Sequence, residues 1–167
     1  MKYTSKVLIL IMAFAVMSFG AVDYKQNMYH SAYVGYRYFD VSRDLNKGWE
    51  FGLMSEKRLS NSFWFECNAG LIPTTIVSTG ASQWLLAIGV NAIYNFMSYQ
   101  MFTPYVLAGV GTDIGKESLA GFNLGAGISL MTDDSMIFRA EVKNIYYANG
   151  RGNDTIYQLV ATWLPTM

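Results

Sequence analysis

The chain has 167 residues, room for one domain with a substantial interior. Twelve Lys and Arg balance twelve Asp and Glu, so the formal net charge is zero and nothing electrostatic argues for nucleic acid or an anionic surface as a partner. Charged residues are 14% and aromatic residues 16%, with 15 Gly and 3 Pro, which suits an all-β protein with either a greasy surface or a very hydrophobic core.

The first element is an address label. "MKYTSKVLILIMAFAVMSFGAV" places Lys2 and Lys6 ahead of an apolar run from Val7 to Phe19, with small residues Ser18 and Gly20 at positions −3 and −1 of a cut after Gly20. This is the layout of a secretory signal peptide, and the run is short for a membrane span of about 20 residues. The expected division is residues 1–20 as a cleaved leader and 21–167 as the mature domain. Cys67 is the single cysteine, so an intrachain disulfide is excluded, and its place in "FECNAGL" is that of a small hydrophobe. No lipobox-like Leu-x-x-Cys lies near the N-terminus to suggest a lipid anchor.

Eight alternating segments follow, each bounded by turn residues. In order they are 29–39, 49–58, 63–72, 83–96, 103–111, 120–131, 135–147 and 155–164. With no helical pattern between them, they predict an antiparallel up-and-down meander. The connections differ in kind. "LSNS" and "TDDS" are tight, whereas "VSRDLNKG", "TTIVSTGAS", "TDIGKES" and "ANGRGND" are longer, polar and Gly-rich, with "MSYQMF" in between. All the longer ones connect an odd strand to an even one, so a meander puts them at one end.

The decisive question is which face of each strand points inward. In "FRAEVKN", Arg139, Glu141 and Lys143 alternate with Phe138, Ala140 and Val142. In the second segment Trp49, Phe51 and Leu53 oppose Glu50, Gly52, Met54 and Glu56. In the third Phe63, Phe65, Cys67, Ala69 and Leu71 oppose Trp64, Glu66, Asn68 and Gly70. The first sets Ala32, Val34 and Tyr36 against Tyr33, Gly35 and Arg37, and the sixth sets Phe122, Leu124, Ala126, Ile128 and Leu130 against Asn123, Gly125, Gly127 and Ser129. The apolar face is large and continuous; the other mixes glycine, small polar groups and a few charges.

A soluble barrel would hide the apolar face and coat the other with charge, yet that second face is too poor in charge to be a good water-facing surface. It suits the tight lumen of a small membrane barrel. Arg or Lys turned to lipid costs about 2–4 kcal/mol each at mid-bilayer. The expected fold is therefore an all-β, eight-stranded antiparallel up-and-down transmembrane β-barrel. Its expected lumen charge network is Arg37, Glu50, Glu66, Arg139, Glu141 and Lys143, paired because unpaired charge there is costly. Tyr36, Tyr38, Trp49, Phe63, Tyr94, Tyr146 and Trp163 fall near strand ends, where interfacial girdles form.

At "AIGVNAIYNF", "TPYVLAGVGTDI" and "GFNLGAGISL" the chain resembles the OmpA-type outer-membrane barrel family, over roughly 29–163. The resemblance implies the bacterial outer membrane, with outer-membrane lipid and the barrel-assembly machinery as partners. That machinery reads a terminal aromatic residue, here Trp163. Larger members add a peptidoglycan-binding domain; only Pro165, Thr166 and Met167 follow the last expected strand, so cell-wall tethering is not implied.

Catalytic, cofactor and metal sites are not expected. The single histidine, His30, begins the first strand and its neighbour Ser31 points to the other face, so no nucleophile–base pair forms. "GVGTDIG" lacks the following helix of a phosphate loop. A barrel of about eight strands is filled by its own side chains, which argues against a wide pore. The expected role is structural or surface-interacting, with a plugged polar lumen and loops (Arg43, Asp44, Asn46 and Lys47 in the first) open to an extracellular ligand. The alternatives are a narrow ion-leak channel and a soluble periplasmic lipocalin-like barrel holding an apolar ligand.

Overall fold

The computed structural model describes residues 28–96, 101–133, 136–148, 150 and 152–163. Eight strands close into one barrel in sequence order: β1 (Met28–Tyr38), β2 (Gly48–Arg58), β3 (Phe63–Thr75), β4 (Ser82–Asn95), β5 (Phe102–Ile114), β6 (Ser118–Asp133), β7 (Met136–Tyr147) and β8 (Asn153–Trp163). Every neighbouring pair is antiparallel, and β8 closes on β1 through Ala32↔Ala161 and Val34↔Leu159. Closure leaves no unpaired edge, which is what a sheet surrounded by hydrocarbon requires. The strands run from 11 residues (β1) to 16 (β6), and about 9–11 tilted residues cross a bilayer. No helix among the described residues is long and apolar enough to cross a membrane.

The register sorts the side chains as the two-residue period requires. Trp49, Phe51, Leu53, Leu71, Trp84, Val110, Phe122, Ile128, Tyr157 and Leu159 stand outward, each at least half exposed. Arg37, Glu50, Glu56, Glu66, Arg139, Glu141 and Lys143 stand inward and are buried. Rows of aromatic rings mark both rims. Tyr36 packs edge-on against Tyr38 and Trp49 at the loop end, with Tyr38 against Tyr157; Tyr94 does the same with Phe63 and Phe96 at the end that carries the two termini.

Three features differ from the sequence expectation. The third loop shrinks to residues 115–117, because Thr112, Asp113 and Ile114 stay in the β5–β6 ladder. Thr74 and Thr75 likewise belong to β3, so the length contrast between the two ends is modest. The interior is also greasier than a glycine-and-charge lumen. Ile72, Leu85 and Ala87 form one buried cluster near the loop end, and Ile93, Tyr105 and Leu107 another nearer the termini. Ser135 and Leu164, at the ends of two expected strands, and the expected leader 1–20 lie outside the described residues.

Glycine makes this crowding possible. The Tyr33 ring lies across Gly52 and Gly70, where a Cβ would overlap the ring and its hydroxyl. The ring therefore lies along the inner wall over β2 and β3, and its Oη donates to Glu50 Oε1 at 2.7 Å.

Candidate functional site

The interior holds two layers of ion pairs. The layer nearer the termini is built on Arg139 of β7. Its Nη2 donates to Glu56 Oε1 at 2.7 Å and Glu66 Oε2 at 3.1 Å, reaching from one wall of the barrel to strands β2 and β3 opposite. Glu56 and Glu66 are direct cross-strand partners, so two carboxylates of like charge sit side by side and the guanidinium between them is what makes the pairing tolerable. Ser31 donates to Glu56 at 2.8 Å, and Asn91 and Asn68 donate to Glu66 at 2.7 and 3.1 Å. Next along the axis, Tyr105 and Gln158 donate to Glu141 at 2.7 and 2.8 Å, and Lys143 Nζ lies 3.3 Å from the same carboxylate.

The second layer sits at the loop end. Arg37 reaches Glu50 at 3.4 Å, Asp154 at 3.1 Å and Asp113 at 2.8 Å. Arg43, from the first loop, joins it. It donates to Asp113 Oδ2 at 2.8 Å, pairs with Asp154, and donates to Tyr147 Oη at 2.6 Å. Its guanidinium also stacks between the rings of Phe39, at 4.9 Å, and Tyr147, at 4.6 Å. Tyr147 in turn donates to Asp113 and Asp154 at 2.7 and 2.8 Å.

All six residues expected in the lumen thus lie inside, and each cation has one of the three expected carboxylates within reach: Arg37 with Glu50, Arg139 with Glu66, Lys143 with Glu141. Four charged residues belong with them that the expected network omits. Glu56 was already on the inward face of β2. Asp113 and Asp154 continue the inward alternation of Gly109, Gly111 and of Ile156, Gln158, a signal hidden because both fall in stretches that read as loop. Arg43 corrects the sequence reading: it is not part of an exposed binding loop but is 9% exposed and folded into the barrel mouth. Nothing in its neighbours' pattern announces this, since a lone Arg in a polar loop looks solvated.

The loop that delivers Arg43 is a tight turn. Val41–Arg43 form a short 3-10 helix capped by Asp40, whose carboxylate accepts from Ser42 N at 2.9 Å, and Asp44 exits at φ 54°, a conformation Asp tolerates. The Ser42 N–H holds the Asp40 carboxyl below its ordinary pKa. The loop is stitched to its neighbours: Asp44 accepts from Ser78 N at 3.0 Å, Val77 N donates to Asp44 O at 2.9 Å, and Asp40 N donates to Asp154 Oδ1 at 2.9 Å. Leu45 forms a bridge with Ile76, and Phe39 and Leu45 pack on the Ile72, Leu85 and Ala87 cluster below.

His30 is exposed on the outer wall, whereas Ser31 faces in and donates to Glu56 and Thr162, so the two do not meet. No group of three or more His, Cys, Asp or Glu able to hold a metal ion occurs among the described residues. Cys67 is a free thiol, half-buried on the outer face.

No family model and no curated protein matches the chain by sequence. Its fold, by contrast, has clear counterparts among solved structures. Neisserial surface protein A is similar over 81% of this chain and 96% of its own, with a TM-score of 0.66 at 14% identity. The N-terminal β-barrel domain of Pseudomonas aeruginosa OprF is similar over 83% and 97%, with a TM-score of 0.58 at 16% identity. Ail, the attachment invasion locus protein of Yersinia pestis, is similar over 84% and 99%, with a TM-score of 0.57 at 11% identity. The chain folds as a closed eight-stranded antiparallel barrel of the kind found in these proteins, and it spans nearly the full length of each.

Proposed function

We propose that this chain is a bacterial outer-membrane β-barrel with a structural or surface-interaction role, its lumen plugged by its own ion pairs. The observation that carries this reading is the inversion of the usual burial pattern. Trp84, Leu53, Val110 and Leu159 are more than 60% exposed on the outer wall, while ten Arg, Lys, Asp and Glu side chains among the described residues are buried within. A surface of that kind is stable in hydrocarbon and aggregates in water. The same inversion opposes a lipocalin-like carrier, whose apolar lining would face inward.

The leader expected at 1–20 serves export, and Trp163 at the end of β8 is the aromatic residue offered to the assembly machinery. Ail has been solved in complex with the heparin analogue sucrose octasulfate. For this chain the loop end, with Asn46, Lys47 and Ser78 exposed, is the surface that would meet an extracellular ligand. The test is fractionation and gel migration. The protein should require detergent, and should run anomalously in mild detergent until boiled. Solubility without detergent would end this reading.

A narrow ion leak is the second reading, favoured by one observation. Among the described residues the buried set contains four cations, Arg37, Arg43, Arg139 and Lys143, against six carboxylates. Any current through so acidic an interior should be cation-selective, and planar-bilayer recording reads it directly; the plugged reading expects no discrete current steps.

A further inference from the structure

Between the two ion-pair layers lies a small interior cavity of about 30 Å³. Its walls include Arg37, Asp113 and Tyr147 above and Asn68, Asn123 and Lys143 beside it. Asn123 is 6% exposed, and its Oδ1 has no hydrogen-bond partner among the described residues. Lys143 Nζ lies 3.3 Å from the Glu141 carboxylate. A polar space of that volume, with an unmet acceptor and an ammonium, has the size and chemistry to hold one or two ordered waters.

At the loop end this space is roofed by Arg37, Asp113 and Tyr147, and Arg43 of the first loop lies over the last two. Arg43 rests directly on Asp113 and Tyr147, two residues of the cavity wall, and is held there by Asp154 and by the Phe39 ring. The side chain reaches the wall from a loop, not from a strand, so it can leave without opening the barrel. The rest of the loop stays tied to the barrel: Asp44 to Val77 and Ser78, Leu45 to Ile76, Asn46 to Thr75, and Asp40 to Asp154 and Asn153. Phe39 and Leu45 are packed on the interior cluster, so the part free to move is the Arg43 side chain.

We propose that the Arg43 side chain is a latched lid over an interior hydration chamber, with Phe39 as its seat. Release of Arg43 exposes the Asn123 side of the chamber to solvent from the loop end. The Arg139, Glu56 and Glu66 layer closes the other end independently. The two stoppers act in series, so release of either alone opens no through-path.

This deepens the plugged-lumen reading. It is tested in folded protein in detergent, so it can fail while that reading stands, and a barrel that proves soluble would fail the reading and leave the lid intact. Asn123→Cys in a Cys67→Ser background places one thiol on the chamber wall. Its reaction with a small charged methanethiosulfonate reagent is followed by mass spectrometry, with heat-modifiable migration confirming that each variant is folded. The thiol should react slowly with the latch in place and at least about tenfold faster with Arg43→Gln, whereas Arg139→Gln should leave the rate unchanged. Should Arg43→Gln fail to fold, Phe39→Ala removes the seat and carries the same expectation. A rate that neither latch variant raises in folded protein overturns the lid, and so does acceleration by Arg139→Gln equal to that by Arg43→Gln.

Discussion

Arg139 shows what a single interior charge does. It holds two carboxylates that face each other across β2 and β3, and each of those has further donors. Removing one partner from such a cluster strands the rest in a medium that cannot solvate them. Glu66→Ala should therefore cost about 3–5 kcal/mol, read from urea unfolding in lipid vesicles. Removing both members of one pair should be less than additive. Arg139→Met with Glu66→Leu is expected to cost less than the sum of the two single changes, because that pair goes together, while Glu56 still loses its guanidinium and keeps the double variant less stable than the parent. A Glu66→Ala effect near zero would show that the layer is solvated. Tyr33 belongs to the same scale. Its reach to Glu50 depends on the missing side chains of Gly52 and Gly70, so Gly70→Ala should destabilise by displacing the ring, and the loss should shrink when Tyr33 is also truncated.

At the scale of the strand, the two-residue period decides which substitutions lipid tolerates. Val142 lies outward near the middle of β7 and Tyr146 outward near its loop end. Val142→Arg should cost about 2–4 kcal/mol and Tyr146→Arg only about 0–1 kcal/mol, a depth gradient that vesicle-based unfolding measures and that a water-facing wall would lack. The strands are also where the sequence was most legible. Alternation located all eight to within a few residues and assigned both faces, because a slip of one residue would have reversed every side chain at once. It failed at strand ends. Thr112–Ile114 and Thr74–Thr75 look like loop because Gly, Thr and Asp favour turns, yet the ladder carries on through them on backbone hydrogen bonds that composition does not reveal. Asp113 and Asp154 were missed for that reason. Arg43 was missed for another: its burial comes from a tertiary fold-back of the first loop onto Phe39 and Tyr147, with no local pattern to betray it.

For the whole molecule, the account rests on hydrocarbon facing the outer wall and water being kept from most of the interior. The four tryptophans report both sides. Trp49, Trp84 and Trp163 stand on the outer wall, each more than half exposed, whereas Trp64 stacks on Tyr29 and packs against the interior cluster of Ile93, Tyr105 and Leu107. The most direct measurement is fluorescence of single-tryptophan variants, the other three replaced by Phe, reconstituted in vesicles with brominated phospholipid. Trp49, Trp84 and Trp163 are expected to be strongly quenched by the lipid and Trp64 to be nearly unaffected. Quenching of Trp64 as strong as that of Trp84, or quenching of Trp84 by aqueous iodide and not by lipid, would contradict the account.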